Sequence, residues 1–151
     1  RLDNLEARLT DGWRRVFDDI DRFRRQIQSN PAGVKPILFT ELGYTQRRHS
    51  TVKPWAQSGF MLNCNDLLIW EDQRPDTAER AAALRALRQV SRCERPSILQ
   101  GILYWKLSSW PDQRAVEPFV VVLDGRDPAQ DILQSFIKTD CRATADDPRV
   151  R

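Results

Sequence analysis

Pro36-Ile37-Leu38-Phe39-Thr40-Glu41-Leu42-Gly43 is a nearly continuous apolar run interrupted once, by a carboxylate. A run this short and this apolar predicts a strand buried on both faces, as in parallel sheets covered by helices. Period-two alternation predicts Ile37, Phe39 and Glu41 on one face of it, turned toward the interior of the sheet structure. An ionised glutamate beside apolar side chains costs several kcal/mol unless it is hydrogen-bonded, so its presence there calls for a reason. The plain alternative is a Glu41 that ends the strand and faces solvent.

Upstream, Leu2, Leu5, Leu9, Trp13, Val16, Phe17, Ile20, Phe23 and Ile27 recur in steps of three and four. This spacing predicts one apolar stripe on a helix from Leu2 to about Gln28. Ser29-Asn30-Pro31-Ala32-Gly33 then stops it with turn formers and a proline. Downstream, a long polar and basic loop from Tyr44 to about Phe60 carries Trp55. Leu67-Leu68-Ile69-Trp70 fits either a short strand or a helical turn. Asp76 and Glu79, three apart, fit a capping box at the start of a helix running to about Arg92. Ala81, Leu84, Leu87 and Val90 form its inward side.

Ile98-Leu99-Gln100-Gly101-Ile102-Leu103-Tyr104-Trp105 reads as a second buried strand, and Phe119 to Leu123 as a short extended segment. Asp127-Pro128 opens a last helix, with proline at its favoured first position and Ile132, Leu133, Phe136 and Ile137 as its apolar side. The order helix, strand, helix, strand, helix places a helical crossover between two apolar strands, which predicts parallel pairing and an α/β fold. Two such strands alone would leave hydrogen-bonding edges open on segments too apolar for water. The expectation is therefore the C-terminal part of a (β/α)8 TIM barrel, from helix 6 to helix 8. Residues 1–138 form this partial domain and residues 139–151 a polar tail. A whole barrel takes about 250 residues, so the remaining strands would come from a missing N-terminal half or from a second chain. A smaller self-contained α/β fold is the alternative.

Composition narrows the functional classes. The chain carries 24 Lys and Arg against 21 Asp and Glu, a net charge of +3, almost all of the positive charge being arginine set among acids on helices. That pattern reads as solvated helix faces and argues against nucleic acid. No apolar run approaches the roughly 20 residues that span a bilayer, so no membrane partner is expected. The chain starts at Arg1 and is read as a fragment or a processed product, which leaves localisation open. Cys64, Cys93 and Cys141 have no metal-binding spacing and read as free thiols or packing residues, with no metal and no cofactor expected. His49, the only histidine, reads as a surface loop residue.

The chemistry concentrates at the strand exits. A carboxylate at the C-terminal end of a parallel strand occupies the place where barrel enzymes put catalytic groups. Trp105 ends the second strand, and Trp55 and Trp110 lie in the two following loops. If the strands are parallel, all three indoles gather on one rim. Carboxylates among indoles suit carbohydrate better than phosphate, and no glycine-rich phosphate loop is present.

Lys35-Pro36-Ile37-Leu38-Phe39-Thr40-Glu41-Leu42-Gly43-Tyr44, followed by Pro54-Trp55, resembles the seventh-strand region of clan-A glycoside hydrolases, and is most like the β-mannanase-like family 113. Residues Ala78 to Leu87 and the stretch Gly101 to Lys106 are similar to that clan's seventh helix and eighth strand, and Asp124 to Phe136 to its closing helix. The resemblance spans about residues 10 to 138. It implies a retaining glycoside hydrolase with Glu41 as nucleophile. Trp105 would line the subsite beside the scissile bond, with Tyr44, Trp55 and Trp110 as further substrate-binding residues and an oligo- or polysaccharide as partner. The clan's acid/base is a glutamate following an asparagine on the fourth strand. The chain has no Asn-Glu pair, and that strand, like the sixth-strand tyrosine that orients the nucleophile, would precede Arg1. The parent is thus expected to be a glycosidase and this chain alone to be inactive. Arg47, Arg48 or His49 could favour an ionised Glu41 if their loop folds back over it. The rival readings are a non-catalytic carbohydrate-binding barrel and a structural barrel domain of a larger assembly whose tryptophans anchor an interface.

Overall fold

The computed structural model describes residues 2–27, 33–55, 59–62, 68–72, 74–138 and 141. In chain order these form α1 (Leu2–Ile27), β1 (Ile37–Leu42), β2 (Gly59–Leu62), β3 (Leu68–Asp72), α2 (Thr77–Arg88), a π-helical segment (Gln89–Glu94), β4 (Leu99–Tyr104), β5 (Leu107–Ser108), α3 (Gln113–Val116), β6 (Val121–Val122) and α4 (Pro128–Ser135). The architecture is mixed helix and strand with short parallel strands, an α/β arrangement. β1 pairs with β4 in parallel, β5 with β6 in parallel, and β2 with β3 as an antiparallel hairpin. The hairpin and α2 both lie in the crossover from β1 to β4. Leu68 to Trp70 therefore belong to a strand. The predicted stop at Ser29 to Ala32, Cys64 and the tail beyond Thr139 lie outside the described residues, Cys141 aside.

One face of the β1–β4 pair is covered by helices. Phe17 of α1, Leu87 of α2, Val90, Ile98, Leu99 and Phe136 form the principal core, with Trp13, Ile20, Ile37, Phe39, Leu42 and Ile102 packed against it. Trp13, Phe17 and Phe39 meet as a cluster of rings with centroids 6.1–6.3 Å apart. The predicted stripe of α1 divides at this contact: Trp13, Phe17 and Ile20 turn inward, whereas Val16, Phe23 and Ile27 are exposed. Leu38 and Leu103 are exposed on the other face of the pair, which no described helix covers.

Polar staples set the helix positions. Arg24, almost wholly buried on α1, donates to the carbonyls of Ser97 and Ile98 at 3.2 and 3.1 Å. Arg14 binds Glu94 of the π-helical segment with both Nε and Nη2, at 2.8 and 2.7 Å, and this hydrogen-bonded guanidinium holds the Glu94 carboxyl below its usual range. At the start of α2, Asp76 accepts from the Glu79 N–H, as expected of a cap. Glu79 does not reach back to complete the box. Its carboxylate is buried and accepts from the His49 N–H, the Thr51 N–H and the Thr51 hydroxyl, which ties the loop after β1 to the helix.

The central tie is Arg80, fully buried on α2. Its Nη2 donates to Asp127, and its Nη1 to the carbonyls of Val120 at 3.0 Å, Phe119 at 3.4 Å and Tyr44 at 3.5 Å. Asp127 also caps α4, accepting from the Ala129 N–H at 3.0 Å. A charge taken out of water survives only when paired and hydrogen-bonded in this way. One guanidinium thus joins the exit of β1, the approach to β6 and the start of α4.

Two further expectations are corrected. Cys93 and Cys141 are joined in a disulfide with Cα atoms 5.5 Å apart, and are neither free thiols nor isolated packing residues. On α4, Phe136, Ile132 and Leu133 face the core, but Ile137 lies past the end of the helix and is exposed.

Candidate active site

The exits of β1 and β4 lie side by side. The Trp105 N–H donates to the Leu42 carbonyl at 2.7 Å, carrying the parallel pairing one residue past the end of β4. Gly43 stands at the tightest point. A Cβ there would overlap the Trp105 carbonyl oxygen and meet the Phe119 ring at 3.5 Å, so only glycine lets the two backbones approach so closely. The peptide bond between Trp105 and Lys106 is cis.

Glu41 is exposed at the end of β1. It does not share a face with Ile37 and Phe39, as simple alternation predicted. Between Phe39 and Leu42 the register advances three residues in β1 against two in β4, from Ile102 to Tyr104. The extra residue resets the alternation, so Leu42 rejoins Ile37 and Phe39 on the helix side and Glu41 is left outside it. Those two residues face the helix layer rather than a barrel interior. Trp105, two residues beyond the exposed Leu103, is 50% exposed. Glu41 and Trp105 thus stand, both exposed, at adjacent strand ends.

Of the other indoles, Trp110 is 60% exposed after β5 and Trp55 is 72% exposed in the loop after β1. Tyr44 does not belong with them. It is 8% exposed and packs with Ala83, Leu84, Val121 and Ala129, and this burial pushes its phenol up to about 12. Burial also raises the Tyr104 phenol.

In the loop after β1, Arg47 forms an isolated antiparallel backbone bridge with Pro75, and the His49 and Thr51 N–H groups donate to Glu79. Arg48 and His49 line a cleft of about 480 Å³ with Arg8, Arg74, Asp76 and Glu79, in which Glu41 has no part. Among the described residues, no group of three or more His, Cys, Asp or Glu side chains is arranged to hold a metal ion, and no helix is long and apolar enough to cross a membrane.

The residues missed from sequence alone are those whose role depends on distant partners. Arg80 looked like one more arginine on a charged helix, and Asp127 like an ordinary start to α4. Glu117 and Lys106, an ion pair of 2.6 Å beside Trp105, are eleven residues apart and gave no signal. No protein-family model, curated protein or solved structure matches the chain.

Proposed function

We propose that this chain is the C-terminal portion, helix 6 to helix 8, of a (β/α)8 barrel belonging to a retaining glycoside hydrolase of β-mannanase-like type. The observation that carries this reading is the adjacency of Glu41 and Trp105 at the ends of two parallel strands. A carboxylate beside an exposed indole pairs a nucleophile with a flat apolar surface for a sugar ring. The uncovered face of β1 and β4 supports the barrel. Leu38 and Leu103 belong to strands of the doubly covered type, and covering each further would contribute on the order of 1 kcal/mol. The missing strands would come from an upstream segment or a second chain.

In this mechanism Glu41 attacks the anomeric carbon and forms a covalent glycosyl-enzyme. A second carboxyl group, about 5–5.5 Å away and supplied by the rest of the barrel, first protonates the leaving oxygen and then activates water. The ligand is an oligo- or polysaccharide; nucleic acid and membrane have no role in the reading.

The test uses the protein with its barrel complete. An activated fluoroglycoside that leaves a slow-turning glycosyl-enzyme should label Glu41, as read by peptide mass spectrometry. Glu41→Ala should lower kcat by at least about 10³-fold with the fold intact. Turnover retained in Glu41→Ala removes Glu41 from the role of nucleophile. Glycan binding without turnover, unchanged in Glu41→Gln, would make the domain a carbohydrate-binding barrel instead, an outcome that three exposed indoles also fit.

A further inference from the structure

One face of the Trp105 indole is already occupied. The Lys106 ammonium lies 5.3 Å from the ring centroid, and the same nitrogen is 2.6 Å from Glu117 Oε2. Glu117 is itself fixed: its Oε1 accepts from the Phe119 N–H at 3.2 Å and its own N–H donates to the Gln113 carbonyl at 2.9 Å. The Lys106 carbonyl accepts from the Val121 N–H at 2.9 Å, and the Trp105 N–H is held by Leu42. Backbone, ammonium and carboxylate therefore all bear on how this half-exposed ring is presented.

We propose that Lys106 and Glu117 are a positioning pair that closes one face of Trp105, leaves the other for a pyranose ring, and makes the platform selective for neutral sugars. The proposal rests on Trp105 being a sugar platform. A cation over an aromatic ring at an exposed site is worth about 0.5–1 kcal/mol, enough to bias the ring but not to lock it. Glu117 keeps the ammonium in place and also cancels its charge. A uronic acid stacked on Trp105 meets no unpaired cation and lies near a carboxylate, whereas a neutral hexopyranose loses nothing.

The experiment follows the indole N–H signal of Trp105 by NMR on the protein with its barrel complete, assigned through Trp105→Phe. The probes are a neutral β-1,4-linked hexopyranose tetramer and a uronate tetramer of equal length. The wild-type chain should bind the neutral tetramer in preference, with the Trp105 signal shifting. Lys106→Ala should move that signal before any sugar is added and weaken binding of the neutral tetramer about two- to five-fold. Lys106→Arg, which keeps a cation over the ring, should restore most of it. Glu117→Gln, which keeps the size but frees the ammonium, should raise the affinity for the uronate relative to the neutral sugar. An unchanged Trp105 signal in both Lys106→Ala and Glu117→Gln overturns the pair, as does a uronate preference already present in the wild-type chain. Should the signal move in those variants while neither tetramer touches Trp105 in the wild-type chain, the sugar platform itself falls and the pair is only a structural clamp.

Discussion

At Tyr44 the physical chemistry of a single side chain can be read directly. Burial raises its phenol to about 12 from an ordinary 10.0, so the folded chain keeps a proton that the unfolded chain surrenders. Stability from this difference is intact below pH 10 and is lost as the pH rises through about 12. Two units correspond to about 2–3 kcal/mol. The chain has only two tyrosines, both with raised values. Tyrosinate absorbance of the folded chain should therefore show no transition at pH 10, and Tyr44→Phe should flatten the alkaline fall in denaturant midpoint; an ordinary transition at pH 10 refutes the burial. The resemblance implied Tyr44 as a substrate-binding residue, but whether it faces the rim or the core depends on the turn after Gly43, and here it is buried. Glu41 was misassigned to a face for a related reason. Alternation holds only while the register is regular, and the extra residue between Phe39 and Leu42 leaves no mark in composition.

Among elements, those with strong periodicity were legible. α1, β1, α2, β4 and α4 follow from spacing, apolar runs, Asp76 and Pro128, with ends within a few residues of those observed. β6 falls within the extended run expected from Phe119 to Leu123, whereas β5 has two residues, too few for a pattern, and exists because the chain after β4 runs beside β6. What holds these pieces in register is Arg80. Removing one partner of a buried ion pair leaves an uncompensated charge and costs about 3–5 kcal/mol. Asp127→Ala, which also loses the cap of α4, should therefore lower unfolding stability by at least that amount in urea titration. Arg80→Met combined with Asp127→Leu should recover much of the loss, since burying no charge is better than burying one alone. If Asp127→Ala costs under 1 kcal/mol, the pair does not tie β1, β6 and α4 together.

For the whole molecule, the distribution of apolar surface is lopsided: helices cover one side of β1 and β4, while Leu38, Leu103, Leu107 and Leu123 stay about half exposed. The apolar runs of both strands predicted cover on both faces, whereas the described helices supply it on one. The chain should bind a hydrophobic fluorescent dye while folded, and Leu38→Thr with Leu103→Thr should cut that binding by more than half without lowering the urea midpoint. Dye binding unaffected by both changes would place the sticky surface elsewhere. The disulfide between Cys93 and Cys141 adds a covalent consequence. It turns β4, β5, α3, β6 and α4 into one closed ring, its two cysteines 48 positions apart in sequence, that includes Trp105, Trp110, Lys106 and Glu117. A protease that nicks this ring once releases nothing: the cut halves migrate as a single species until a reductant opens the bridge, and an early cleavage inside the ring would be invisible on a non-reducing gel.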